Sequence, residues 1–461
     1  MLLGNEAKGW TNMGNQLKKQ LLPRHVQMMA LGGAIGTGIF QGSSETISAA
    51  GPGVIIAYLA AGGLLFIVMS ALAEMGMAIP GVDLRGFIHR AFGYRTSFIV
   101  GWLYFFLWII VMALEIVAAG TFLHYWFSNV PVWALSLFSA LFVIFINLFS
   151  VRLYGEIEFW LTGIKVVTLV VFILLSAALI LGLIPVADPP SASNLTAHGG
   201  FIPLGWMGVI SSLLIVIFSY GGTELVGLSI TEMKDADHTL PKVMQGVIYR
   251  ICLFYALPIL LITMLVPWDQ VGSQASPFVQ VLSAVGLKGV AHVMNFIMLT
   301  AVISAANSGM YATSRMIYSL AKDGEAPAMF TRTSQTGVPV FGLMISGVGL
   351  LLGAFAAFIA KDSVFQYLMG IPGLTVLLIW ILICLAQLKL RPTYDGQLKY
   401  RVAFFPYLTG LTVLILLVIF GFILADPKNL VNNAVYLSVV AVLTLASLFI
   451  RPKTASQPVR S

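Results

Sequence analysis

Charge is what this sequence has least of. Asp, Glu, Lys and Arg make up 9% of its 461 residues against 59% hydrophobic, and a soluble fold of this length cannot hide that much apolar surface. Cysteine is nearly absent as well. Cys252 and Cys384 fall in different apolar stretches, which excludes a disulfide framework and reads as two buried thiols. The six histidines have no metal-ligand spacing, and there is no glycine-rich strand-to-helix phosphate loop. No metal and no cofactor is expected. A nucleophile–base pair with suitable spacing is also missing, which makes an enzyme the weakest reading. The N-terminal tail is polar as far as Arg24 and lacks a short apolar core with a cleavage site, so the first span is expected to be its own insertion signal.

What the chain does have is a succession of long apolar windows. Cut at polar or Pro/Gly clusters, they fall near 25–49, 54–80, 98–127, 131–150, 158–184, 205–231, 243–267, 288–320, 338–360, 364–388, 403–424 and 431–450. This predicts an all-α integral membrane protein with about twelve transmembrane helices, each near the ~20 residues a bilayer requires. The net charge of +7 carries no nucleic-acid implication because of where it sits. Lys and Arg gather on the side of the N-terminal tail and every second loop, and the other side holds Lys288, Lys361 and Lys428. By the positive-inside rule both termini are cytoplasmic, and the surplus charge adds some attraction to anionic lipid.

Within the first window, Leu31-Gly32-Gly33-Ala34-Ile35-Gly36-Thr37-Gly38-Ile39-Phe40 is dense in glycine. Each glycine costs about 1 kcal/mol against alanine in a helix interior, so the run reads as a helix built to be broken. Bare backbone at membrane depth is tolerated only where protein or a water-filled cavity covers it. The amides that open the following half-helix would favour an anion. A close helix–helix contact through small residues is the alternative.

Four of the charged residues inside apolar windows are candidates for a role. Glu115 lies near the middle of the third, where a lone charge costs ~3 kcal/mol even on a lenient insertion scale; a cavity or a partner is expected there. Glu74 is the only charge of the second window and faces a cavity, a partner or the hydrated interface. Lys165 stands about two turns into the fifth. Pointing inward, its ammonium is a fixed cation that can take the place of a metal ion; snorkelling, it reaches the headgroups. Glu224 closes a second glycine-interrupted stretch, Phe218-Ser219-Tyr220-Gly221-Gly222-Thr223-Glu224. Two broken helices in corresponding positions of two halves are the pattern of an inverted-repeat transporter with a midplane site. Ser304, Asn307 and Ser308 share one helical face, and Gly370-Ile371-Pro372-Gly373 is expected to interrupt the tenth window.

These stretches, together with Ala50-Gly51-Pro52, Gly155 through Trp160 with Ile164-Lys165-Val166, and Ser314-Arg315 through Asp323-Gly324 to Pro327, carry a family resemblance. The chain resembles the amino acid permeases of the amino acid–polyamine–organocation superfamily, in its bacterial amino acid transporter branch, from about Leu22 to Phe330. The loop Gly81 to Phe87 departs from the Ser/Gly-rich pattern of that family. The resemblance implies a five-plus-five inverted repeat with broken helices 1 and 6, framed as a tail at 1–24, a permease domain at 25–450 and a tail at 451–461. Repeat one spans about 25–184, repeat two about 205–388, and two peripheral helices about 403–450.

The same resemblance implies that the substrate carboxylate meets the amides of Gly36, Thr37, Gly38 and Ile39, next to Ile35. The ammonium meets carbonyls of Ala34, Phe218 and Gly221, with Phe218 as an aromatic gate. Trp108, Met112, Tyr220, Asn307 and Ile371 are candidates for the side-chain pocket. Lys165 in place of sodium argues for proton coupling or exchange, with Glu224 first, then Glu115, and Glu74 as further candidates for the coupling group. The expected function is import of a neutral amino acid across the cytoplasmic membrane with a proton as coupling ion and no cofactor. An amino acid exchanger and a non-transporting membrane sensor are the alternatives. The oligomeric state and the particular amino acid are not legible.

Overall fold

The computed structural model describes residues 17, 19–40, 42–149, 151–185, 192–271, 276–284, 289–359, 364–394, 400–427 and 430–449. Most of the tail at 1–24 and all of 451–461 lie outside them. The described residues are mostly helical and hold isolated bridges in place of strands. Eight helical stretches are long and apolar enough to cross a membrane, and three shorter apolar helices accompany them.

The first passage is in pieces: α1 (Pro23–Gly32), α2 (Thr37–Phe40) and α3 (Gly42–Ala50). After the turn at Gly51-Pro52-Gly53 come α4 (Val54–Ala78) and the short α5 (Leu84–Phe92). Then follow α6 (Tyr94–His124), α7 (Val132–Asn147), α8 (Val151–Ile180) and the one-turn α9 (Asn194–Ala197). The sixth passage is again divided, into α10 (Gly205–Tyr220) and α11 (Leu225–Ser229). The seventh joins α12 (Ala236–Ile251) to α13 (Leu257–Leu265) through a π turn, and α14 (Pro277–Ala284) lies in the next connection. The remainder is α15 (Val290–Lys322), α16 (Val340–Ile359), α17 (Val364–Leu390), α18 (Tyr407–Ala425) and α19 (Leu430–Phe449).

Burial separates the centre from the rim. In α15 the apolar window is 83% buried and in α10–α11 78%, against 33% in α18 and 22% in α19. The last two helices therefore present most of their apolar surface outward, as a lipid-facing helix does. One expectation fails in α17, which runs through Gly370 to Gly373 without a break and carries Pro372 inside it. Proline is tolerated in membrane helices because neighbours re-satisfy the freed backbone group.

Two ties hold the start of the first broken helix to the end of the second. Leu21, just before α1, donates its amide to the Glu232 carbonyl (3.1 Å) and accepts from the Lys234 amide (3.1 Å) beyond α11. The Glu232 carboxylate in turn accepts from Arg315 Nε (3.0 Å) and Tyr311 Oη (2.8 Å) on α15. At the same end, Arg85 of α5 is buried and donates to Ser97, Ser319, Glu325 and Asp323.

Candidate substrate site

The two breaks are packed against each other by glycine. A Cβ at Gly222 would lie 2.4 Å from the Gly33 carbonyl oxygen, and one at Gly38 would lie 2.7 Å from Ser219 Cα. Gly222 also has φ +98°, a conformation that L side chains rarely adopt. Glycine is therefore required here twice over, for close approach and for backbone shape. A side chain at Gly38 would strike Ser219 first.

Between the breaks lies a small cavity of about 20 Å³, room for little more than a water molecule. Its backbone wall is Gly33, Ala34, Gly36 and Gly38 from the first break and Phe218, Ser219, Gly221 and Gly222 from the second. Leu107, Trp108, Val111 and Glu115 of α6 and Pro372 and Val376 of α17 close it. Among the described residues, Glu115 supplies the only ionisable side chain of that lining.

Glu115 occupies the start of the half-helix. Its Oε1 accepts from the Thr37 amide (3.2 Å) and the Thr37 hydroxyl (2.9 Å), while Oε2 is buried with no hydrogen-bond partner. Gly36 is the reason it fits, since a Cβ there would lie 2.7 Å from Oε1. The Thr37 amide expected to be open to a ligand is thus engaged by a protein carboxylate. This is the preference of a helix N-terminus for negative charge.

Lys165 is fully buried and points inward. Nζ donates to the carbonyls of Gly32 (2.8 Å) and Ile35 (2.7 Å), the acceptors freed where α1 ends. Ile35 therefore serves the lysine and, like Ile39, does not line the cavity.

Glu224 is equally buried but fully committed. Both of its oxygens accept from the Gly222 amide (3.1 Å each) and Oε1 also from Tyr104 Oη (3.3 Å), so it caps the backbone of the second break. Glu74 lies away from the cavity, where it accepts from Gln387 (3.0 Å), Arg391 (3.3 Å) and the Val402 amide (2.7 Å). It joins α4 to the end of α17.

Three side chains expected in the pocket point elsewhere. Tyr220 donates to the Tyr58 carbonyl (2.8 Å) and packs edge-on against Tyr58 and Tyr255. Met112 fills the space beside Gly309. Asn307 donates to Glu158 Oε2 (3.1 Å) and accepts from Asn147 (2.7 Å). The Ile371 and Cys252 side chains lie outside the described residues, and Cys384 is a buried free thiol. Among the described residues no cluster of His, Cys, Asp or Glu can hold a metal ion.

The sequence reading leaves Glu158 without a role, although its signal is visible. Glu158, Thr162 and Lys165 are spaced i, i+4, i+7 and form one polar stripe on α8. Tyr104, Trp108, Val111 and Glu115 form a similar stripe on α6, obscured by a helix that is apolar all round.

Two broken helices around a buried, mostly apolar cavity, inside a bundle of membrane helices, define a multi-pass membrane protein of the carrier type. The amino acid permease family matches residues 25–451, and the chain belongs to that family. It is 39% identical over 440 residues to the uncharacterized amino acid permease YvbW of Bacillus subtilis (strain 168), covering 95% of this chain and 98% of that one. It is 37% identical over 453 residues to the gamma-aminobutyric acid permease of the same organism, covering 96% and 97%. The aromatic amino acid transport protein AroP of Salmonella typhimurium (strain SL1344) is 36% identical over 421 residues, covering 90% and 91%. These relatives are named as permeases or transport proteins, which are not enzymes. This chain is accordingly an amino acid transporter.

Proposed function

We propose that the chain imports a neutral amino acid across the cytoplasmic membrane together with a proton, binding it between the two breaks and releasing it by alternating access. In this reading residues 25–184 and 205–388 are inverted repeats, 403–450 form the peripheral pair, and both termini are cytoplasmic. The ends of the broken helices move while α6, α7, α8 and α15 stay as scaffold.

The observation that carries the reading is Glu115 on Thr37. A helix N-terminus that attracts the Glu115 carboxylate attracts a substrate carboxylate for the same reason. The two anions compete for one amide and one hydroxyl. A proton on Glu115 discharges it and yields Thr37 to the substrate, so proton and amino acid travel together. A buried acceptor without a donor costs about 1–3 kcal/mol, more when charged. The unpartnered Oε2 therefore favours either that proton or the substrate ammonium. Glu224 has no open oxygen to offer, which moves Glu115 ahead of it as the coupling group.

Lys165 supplies fixed positive charge at carbonyls freed by a broken membrane helix, the kind of position where carriers of this architecture coordinate sodium. Uptake then needs no sodium. The walls formed by Leu107, Val111, Phe218, Pro372 and Val376 suit a substrate side chain without charge.

The test is uptake into proteoliposomes of labelled γ-aminobutyrate, L-threonine and L-phenylalanine, chosen because relatives are named for GABA, threonine/serine and aromatic amino acids. At least one is expected to accumulate under an inward proton gradient, to do so equally in sodium and choline, and to stop with a protonophore. A strict sodium requirement would remove Lys165 from this role. Uptake only against internal amino acid would make the chain an exchanger, and binding without flux a sensor.

A further inference from the structure

Glu158 is a second buried carboxylate beside the first break that the transport reading does not use. It is fully buried and off the cavity. Oε1 accepts from Thr162 Oγ1 (3.2 Å) and Ser304 Oγ (2.5 Å), and Oε2 from Asn307 Nδ2 (3.1 Å). Every one of these donors is neutral and stands on α8 or α15. They satisfy lone pairs of the carboxylate but bring no opposite charge to it.

The cation on the same stripe is Lys165. An ammonium has three protons to donate, and both of its carbonyl acceptors belong to the first broken passage. Gly32 touches both groups: its carbonyl accepts from Lys165, and a Cβ on it would lie 2.2 Å from Glu158 Oε1. The end of α1 is thus seated through a bare Cα against the carboxylate while its carbonyl engages the lysine.

Resting on the alternating-access reading, we propose that Glu158 is a positioning residue for transport. It is the scaffold-side counter-charge onto which the Lys165 ammonium turns when the first broken helix moves away. A buried ammonium stripped of its acceptors must find a partner or give up its proton. Glu158 stands two turns away on the same helix, about 10 Å along the axis, within the combined reach of the two side chains once Gly32 has gone.

The charged groups that act on Lys165 are Glu158 from its own helix and Glu115 from α6. One oxygen of Glu115 is engaged at Thr37, and α1 and α15 present carbonyls, hydroxyls and an amide. On the far side of Glu158 stand Tyr154, one turn earlier, and the Arg315–Glu232 pair beyond it.

The experiment compares initial uptake from pH 6 to pH 8.5 in proteoliposomes, using whichever of γ-aminobutyrate, L-threonine and L-phenylalanine the wild type carries. Glu158→Gln is expected to match the wild type within about twofold at pH 6 and to move the alkaline fall of uptake at least one unit lower, which is a tenfold loss at fixed high pH. Asn307→Ala removes a hydrogen bond to Glu158 but keeps the charge, so its profile should stay with the wild type, as should that of Glu158→Asp. Equal loss at every pH in Glu158→Gln, an unmoved profile, or an equal shift in Asn307→Ala would overturn the assignment. If Glu158→Gln does not fold, a shifted profile in Glu158→Asp overturns it and an unshifted one supports it. A wild type that transports none of the three probes refutes the transport reading instead, so the two failures are distinguishable.

Discussion

The carboxylate of Glu115 caps the half-helix at Thr37, 3.2 Å from its amide and 2.9 Å from its hydroxyl, and leaves its second oxygen buried without a partner. A protein carboxyl group thus stands where the dipole of a broken helix would draw a ligand anion. In the proposed mechanism the same two donors would serve both, which would link binding to proton uptake at a single residue.

Glu115→Gln keeps an amide oxygen to accept from Thr37 but is permanently neutral. The variant is expected to bind and exchange amino acid at wild-type affinity within a few-fold, with at least tenfold less accumulation under an imposed pH gradient. Counterflow measured beside gradient-driven uptake separates the two. Retained accumulation in Glu115→Gln would remove Glu115 from the coupling step.

Glu224→Gln should behave differently, because Glu224 caps the backbone of the second break and accepts from Tyr104. Gln replaces one of its two acceptor oxygens with an NH2 donor, and a buried donor left unsatisfied costs about 1–3 kcal/mol. The purified variant should melt several degrees lower while its remaining uptake still follows the pH gradient. An unchanged melting temperature with lost gradient dependence would hand the coupling role back to Glu224.

Glu325 predicts a pH effect in the turn after α15, outside the membrane. Burial first, and the neighbouring Asp323 charge, push its carboxyl up from the ordinary 4.5 to about 7, while the Arg85 guanidinium at 2.9 Å pulls the other way. Between pH 4.5 and 7 the folded protein therefore holds more protons here than the unfolded chain, and this group's contribution to stability falls as pH rises through that window. Thermal unfolding in detergent should show that decline in the wild type and a shallower one in Glu325→Gln. Parallel curves would show that Glu325 does not titrate in that window.

The sequence alone determined the membrane class, the helical passages and the positions of both breaks. These depend on local properties: apolar length against bilayer thickness, and glycine against helix propensity. It also marked Glu115, Lys165 and Glu224 as charges too costly to face lipid. Which partner each would meet was not legible, because partners arrive from helices far away in the chain. Thr37 lies 78 positions before Glu115 and Gly32 lies 133 before Lys165. Tyr220, Met112 and Asn307 were misplaced for a related reason: in a helix apolar on every side, periodicity does not say which face meets the cavity. The tertiary packing made that choice. It turned Tyr220 toward Tyr58, gave Glu74 to Arg391 and Glu158 to α15, and left one oxygen of Glu115 buried without a partner. Inside a membrane a polar group takes whatever donor or acceptor the fold brings to it, since no water is there to substitute.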